Sequence, residues 1–272
     1  MDTKILFTDL DGTLLNRKKE ITAENAAAIN RALTAGHKVV INTGRPLCGC
    51  MAQIRELGLE REGCYAITYN GGLIYDCYTK KTLYKKGIPL AYVRHIFSET
   101  QRRGIYCQTY SDESLLTLCD TEELQYYTSR THTPYQIDPD LLSHLTEAPV
   151  KLLAIDLKLG REVLDLYRQE MADWAEGKVS IFYSSQFYLE HVAYGISKGA
   201  AIQILCDHLN IPLSNTIAAG DEENDIDMIR KAKIGVAMSN AIPVVKECAD
   251  YITVHDCDHS GIAEVIKHFM DC

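Results

Sequence analysis

Residues 6–16 read LFTDLDGTLLN, and this stretch decides what kind of fold the chain can adopt. A β-rich run over Lys4–Thr8 leads into two acids, Asp9 and Asp11, spaced i, i+2. On an extended chain such residues project to the same face, so two like charges stand together at the end of a buried strand. Asp11-Gly12 also reads as an ordinary turn, for which both residue types are suited. The rest of the chain has to decide between the two readings.

Strand and helix patterns alternate from this point outward. Thr22 is placed to cap a helix whose Ala26, Ile29 and Leu33 follow helical spacing, and Gly36 stands where glycine ends helices. A strand at His37–Asn42, a helix near Cys48–Leu57 and a strand near Tyr65–Tyr69 complete a βαβαβ order, which predicts a parallel sheet covered on both faces. The order resumes late. A helix over Ser197–Leu209 precedes a strand at Thr216–Ala219, a helix near Asn224–Lys231 and a strand at Ile234–Ala237. A helix near Pro243–Cys248, a strand at Tyr251–Val254 and a last helix from Ile262 follow. The middle differs, with short strands at Ile105–Tyr110, Leu115–Leu118, Lys151–Leu157, Lys178–Tyr183 and Phe187–His191 among three helices. The expected fold class is α/β, a doubly wound parallel-sheet core formed by 1–83 and 188–272, with an inserted α+β module at 84–187.

Composition narrows the function. Hydrophobic residues make up 46% and charged residues 24% of the 272, as in an ordinary globular protein. The net charge of −9 and the absence of a dense Lys/Arg cluster argue against a nucleic-acid or membrane partner, and Arg17-Lys18-Lys19 reads as a solvated loop. No signal-peptide core and no apolar run of spanning length is present, so a cytoplasmic location is expected. The ten cysteines form no C-x-x-C pair and read as small buried hydrophobes.

In an open parallel sheet, ligands bind beyond the carboxyl ends of the strands. Asp9 and Asp11 follow the first strand; Asn42, Thr43, Gly44 and Arg45 end the second. Asn70-Gly71-Gly72 follow the third, and Gly220-Asp221-Glu222-Glu223-Asn224-Asp225 follow the strand at Thr216–Ala219. Each segment alone passes as a turn, or as acids favoured by the start of a helix. Together the carboxylates demand a counter-charge, and a hard cation such as Mg²⁺ supplies one while leaving room for water and phosphate. Lys198 follows the N-cap residue Ser197, where a helix disfavours a cation, so its placement calls for an anion. A phosphoryl group would satisfy Lys198 and the metal together.

Four segments in order then resemble the haloacid dehalogenase (HAD) superfamily, in particular Cof-type phosphatases with a type IIB cap. They are Asp9-Leu10-Asp11-Gly12-Thr13-Leu14-Leu15, Asn42-Thr43-Gly44-Arg45, Gly195-Ile196-Ser197-Lys198-Gly199 and Gly220-Asp221-Glu222-Glu223-Asn224-Asp225. Gly235-Val236-Ala237-Met238-Ser239-Asn240-Ala241 is similar to the penultimate core strand and loop of that group. The resemblance implies a HAD-like Rossmannoid core and a phosphatase acting on small phosphorylated metabolites, most simply sugar phosphates. It implies that Asp9 is the nucleophile and that Asp11 is the general acid and then base, with a pKa raised by its neighbour. Mg²⁺ is expected on the Asp9 carboxylate, the Asp11 backbone carbonyl and Asp221, supported by Asp225. Thr43, the Gly44 and Leu10 backbone N–H groups, Lys198 and Asn224 are expected to hold the phosphoryl group, with Arg45 and Asn70 as contacts at the mouth. A departure occurs at His191, where the family usually has an aliphatic residue, and a packed histidine is expected there. A phosphomutase of the same superfamily and a non-catalytic phosphoacceptor or binding protein are the alternatives.

Overall fold

The computed structural model describes residues 3–270. The chain begins with β1 (Ile5–Thr8), α1 (Ala23–Thr34), β2 (Lys38–Asn42), α2 (Met51–Glu56), β3 (Tyr65–Thr68), β4 (Leu73–Asp76) and β5 (Lys81–Lys85). Next come α3 (Leu90–Arg102), β6 (Tyr106–Tyr110), β7 (Leu115–Thr117), α4 (Glu122–Thr131), β8 (Tyr135–Ile137), α5 (Leu141–His144) and β9 (Lys151–Ile155). The insertion closes with α6 (Arg161–Ala175), β10 (Val179–Ser185) and β11 (Tyr188–Ala193). The last part holds α7 (Lys198–Leu209), β12 (Thr216–Gly220), α8 (Ile226–Lys231), β13 (Ile234–Ala237), α9 (Pro243–Glu247), β14 (Tyr251–Ile252) and α10 (Gly261–Phe269).

Of the described residues, the first unit comprises 3–44, 51–84 and 197–270. Its eight-stranded sheet has the order β14-β13-β12-β1-β2-β3-β4-β5, and every pair from β14 to β3 is parallel. Every residue of β1 is buried, which explains the unbroken apolar run. Thr22 Oγ1 accepts the Asn25 N–H at 3.3 Å and starts α1; Ser197 Oγ accepts the Ala200 N–H at 3.0 Å and starts α7. Strand β1 lies between β12 and β2, so the carboxyl ends of β12, β1, β2 and β3 stand side by side. This places Asp221, Asp9, Thr43 and Asn70 along one edge.

The second unit comprises 45–50 and 85–196. Its sheet has the order β10-β11-β9-β6-β7-β8, antiparallel apart from the β7–β8 pair. Tyr106, Gln108 and Tyr110 alternate onto one face of β6 and are linked: Tyr106 Oη donates to Gln108 Oε1 (3.0 Å), Gln108 Nε2 to Tyr110 Oη (2.6 Å) and Tyr110 Oη to Tyr127 Oη (3.0 Å). A buried ion pair joins Lys151 Nζ to Glu190 Oε2 at 2.9 Å, and Ser184 Oγ donates to Glu190 Oε1 at 2.6 Å.

Three differences from the sequence reading arise. The return to the core falls at Ser197, later than the expected residue 188, because β11 pairs with β9 and β10 in the second sheet. Residues 45–50, expected in the core, group with the second unit. The pair β4–β5 extends the first sheet where no strand was expected, its β5 half being largely exposed and therefore without an apolar signal. Of the described cysteines, Cys50, Cys64, Cys77, Cys107, Cys206 and Cys257 are buried, Cys248 is half-buried, and Cys48 and Cys119 are exposed. Cys272 lies outside the described residues. Among the described residues no helix is long and apolar enough to cross a membrane.

His191 is a packed histidine. It is fully buried, its Nε2 lies 2.9 Å from Tyr167 Oη, and burial lowers its pKa to about 3. The unfolded imidazole titrates near 6.5, so below that pH the unfolded chain takes up a proton that the folded chain refuses. Its contribution is intact above about pH 6.5 and is lost as the pH falls toward 3. Between pH 6.5 and 4.5 the loss is on the order of 2 kcal/mol. His191→Gln should flatten this part of the urea stability profile; an unchanged slope would assign the acid sensitivity elsewhere.

Candidate active site

The loop after β1 is held by its own backbone. Leu15 N–H donates to the Leu10 carbonyl at 2.8 Å, and Gly12 adopts a φ of +81°. A Cβ on Gly12 would lie 2.3 Å from Asp221 Oδ2, so both the left-handed backbone and the close approach require glycine. The turn reading of Asp11-Gly12 therefore holds, and the turn packs directly on a second acid. Thr13 Oγ1 donates to Asp221 Oδ1 at 2.8 Å, and Asn240 Nδ2 donates to the Gly12 carbonyl at 2.8 Å.

Lys198 is fully buried at the start of α7. Its Nζ donates to Asp9 Oδ1 at 2.5 Å and to Asp225 Oδ1 at 2.6 Å. Two carboxylates at this range outweigh the few tenths of a kcal/mol that the helix start costs a cation. Asn42 Nδ2 donates to the Lys198 carbonyl at 3.2 Å and so fixes α7 against β2. Asp225 Oδ2 accepts the N–H groups of Asp221 (2.8 Å) and Glu222 (3.0 Å). With Lys198 on its other oxygen, Asp225 acts as a brace for the acid loop.

Oxygens of Asp9, Asp221 and Asp225 lie within 4.8 Å of one another, all buried. One ammonium cannot neutralise three carboxylates. Burial pushes the Asp9 carboxyl up to about 7 against the opposing pull of Lys198, and Asp225 and Asp11 add like charge. Burial, then Asp9 and Asp225, raise Asp221 well above the usual carboxylate range. Lys198 loses hydration on burial, but Asp225 and Asp9 more than offset this and hold it charged. An all-oxygen donor set with excess negative charge fits a hard divalent cation. Because Asp225 is occupied by three donors, Asp9 and Asp221 are the side chains left to hold it.

The other expected residues are placed as follows. Asp11 is partly exposed and accepts from Lys19 Nζ at 2.6 Å, a surface ion pair made from the exposed loop. Thr43 N–H donates to the Ile67 carbonyl (2.9 Å) and the Thr43 carbonyl accepts from Asn70 N–H (3.0 Å), tying the β2 loop to the β3 turn. Asn224 Nδ2 donates to Asn70 Oδ1 at 2.9 Å, which brings the loop after β12 across to β3. Gly44 packs on this amide: a Cβ there would lie 2.9 Å from Asn70 Oδ1. Arg45 belongs to the second unit, where its Nη1 donates to the Gly49 carbonyl at 3.0 Å and its charge acts on the buried Tyr127 hydroxyl. Thr13, Lys19, Asn42 and Asn240 had no role assigned from sequence. Thr13, Asn42 and Asn240 lay inside recognised motifs, and Lys19 did not.

A parallel sheet that gathers buried acids and a lysine at its carboxyl edge, interrupted by an inserted α+β unit, defines a HAD-like fold. A family model described as haloacid dehalogenase-like hydrolase matches residues 6–266, and the chain belongs to that family. The uracil-derivative phosphatase YcsE of Bacillus subtilis, 5-amino-6-(5-phospho-D-ribitylamino)uracil phosphatase, is 30% identical over 273 residues, covering 99% of this chain and 97% of that protein. A haloacid dehalogenase-like hydrolase from Bacteroides thetaiotaomicron superposes with a TM-score of 0.87 at 30% identity, covering 98% of this chain and 99% of that one. The HAD subclass IIB sugar phosphatase BT4131 superposes with a TM-score of 0.83 at 26% identity, covering 98% and 99%. Within the family this chain is a Cof-type phosphatase.

Proposed function

We propose that the enzyme hydrolyses small phosphate monoesters, sugar phosphates foremost, in a Mg²⁺-dependent reaction through an aspartyl phosphate on Asp9. The observation that carries this reading is the Asp9–Lys198–Asp225 triad beside Asp221, which leaves uncompensated negative charge at the edge of β1. Mg²⁺ held by the Asp9 carboxylate, the Asp11 carbonyl and Asp221 would supply positive charge against the phosphoryl oxygens.

The chain's own residues account for the remaining steps. Lys198 fixes one Asp9 oxygen by hydrogen bond and orients the carboxylate for attack on phosphorus. The bond to the leaving alkoxide breaks as the Asp9–phosphorus bond forms, and Asp11 gives the alkoxide its proton. Asp11 then takes a proton from water, which attacks phosphorus and releases Asp9 and inorganic phosphate. Thr43, the Gly44 and Leu10 N–H groups and Asn224 hold phosphoryl oxygens during both steps. Asp11 leaves Lys19 to do this, a small change for a partly exposed pair.

Sugar phosphates are supported by the similarity to a sugar phosphatase and to a phosphatase of a ribityl phosphate. We assign choice of the leaving group to the second unit. The free thiols of the described cysteines accord with a reducing cytoplasm. The test is phosphate release from a panel of hexose, pentose and ribityl phosphates, with and without Mg²⁺, with the organic product identified. Release with the free sugar as product, abolished by chelation and restored by Mg²⁺, is expected. An isomeric sugar phosphate as product would show a mutase instead, and turnover indifferent to chelation would overturn the metal assignment.

A further inference from the structure

Apart from the acid cluster, the second unit holds a cavity of about 550 Å³, within the roughly 300–1,000 Å³ usual for small-ligand sites. The sheet order makes it. Strands β9, β6 and β7 lie side by side, so the end of β9, the start of β6 and the end of β7 meet at one end of the sheet. The end of α3 and the start of α4 close round that end. Between α3 and β6 the chain passes through Gly104, where a Cβ would meet no atom within 4 Å, so the space stays open from that side. Its floor is apolar and aromatic: Phe97, Ile105 and Tyr106 line it and are themselves more than nine-tenths buried.

The rim is acidic. Glu122 and Glu123 stand in the first turn of α4, and Asp156 follows β9. Acids in a first turn are what a helix start favours on its own, and Asp156 Oδ1 is taken by the N–H groups of Lys158, Leu159 and Gly160, so neither fact points to a ligand. Glu123 differs. It is half-buried, and none of the described residues gives its side chain a hydrogen bond or ion pair. The Tyr106 hydroxyl is raised above its ordinary range, by burial first and by the charge of Glu123 among the lesser causes, which sets this carboxylate beside the buried ring. An unpaired carboxylate next to an aromatic wall, over an apolar floor, is the chemistry that takes an organic ammonium group. An anionic ligand would instead meet three carboxylates on the rim against the exposed Lys158. We infer that this cavity binds a small organic ammonium ion, with its cationic group between Glu123 and Tyr106 and its apolar body on Phe97 and Ile105. Every lining residue belongs to the second unit and none is assigned to phosphoryl transfer, so the inference is independent of the phosphatase reading.

A ligand-observed NMR titration of the whole protein at pH 7 tests this with phenethylamine, its neutral counterpart 2-phenylethanol and the anion phenylacetate. Phenethylamine is expected to saturate one site about tenfold more tightly than the alcohol, and phenylacetate is expected not to bind. Glu123→Gln removes the charge at nearly constant volume and should weaken the amine by about tenfold, the low end for a contact to a charged group, while leaving the alcohol unchanged. Cys119→Trp, at an exposed lining position, fills the mouth and should abolish binding of both. The Tm of both variants should stay near wild type. Absence of saturable amine binding to wild type would overturn the inference. Equal amine affinity in wild type and Cys119→Trp would overturn it too, by placing the amine on the general surface of a chain of net charge −9. Amine affinity unchanged in Glu123→Gln would leave an apolar cavity that does not read charge, and the ammonium assignment would be wrong.

Discussion

Asp9→Asn should reduce phosphate release by about 10³-fold or more while leaving a folded protein, because the change removes the proposed nucleophile and almost no volume. The amide keeps an oxygen for Lys198 Nζ, now 2.5 Å from Asp9 Oδ1, so the lysine retains two partners. The metal-free variant should be no less stable than wild type at pH 8. Burial already opposes the ionised Asp9, whose pKa of about 7 means that its charge is held at a cost above that pH. The sign follows from linkage. A folded pKa raised above the unfolded value near 3.9 makes the folded chain hold a proton that the unfolded chain releases, so metal-free wild type should lose stability as pH rises from about 4 to 7. Asp9→Asn should lose less over that interval. Inorganic phosphate assays and urea titrations at pH 5 and 8 check both parts.

Lys198→Met should show the second large effect, in stability as well as rate. Removing one member of a buried charge cluster leaves the others uncompensated, which typically costs about 3–5 kcal/mol. Lys198 stays charged through the neutral range, so the dependence on pH comes from its partners. Without it Asp9 is pushed further toward the protonated form. The deficit against wild type should therefore be small near pH 5 and approach its full size near pH 8.5. An equal deficit at both pH values would point to lost packing alone. Phosphate release should fall by about 10²-fold or more, as when a donor to developing phosphoryl charge is removed.

Much of this site was legible in the sequence because its parts sit at strand ends and helix starts, which local patterns mark. The buried run into Asp9, the cap at Ser197 and the acids after β12 each leave such a mark. What joins them does not. The Asn224–Asn70 hydrogen bond spans 154 residues of chain, and Lys19 reaches Asp11 from an exposed loop whose composition resembles any solvated turn. The late return to the core was hidden for a related reason. Glu190 looks like a surface residue until Lys151 and Ser184 are seen to satisfy it inside the second sheet. The β4–β5 extension escaped notice because an exposed edge strand needs no apolar alternation.

The central claim is that Asp9 carries the phosphoryl group between substrate and water. Acid quenching of Asp11→Asn during reaction with p-nitrophenyl phosphate, followed by peptide mass mapping, tests it most directly, since that leaving group departs without a proton and the variant lacks the group proposed to activate water for the second step. The account predicts one phosphoryl group on the peptide containing Asp9, and none after Asp9→Asn is added. Phosphate release at a measurable rate with no phosphoryl group on that peptide, or with one on another residue, would contradict it.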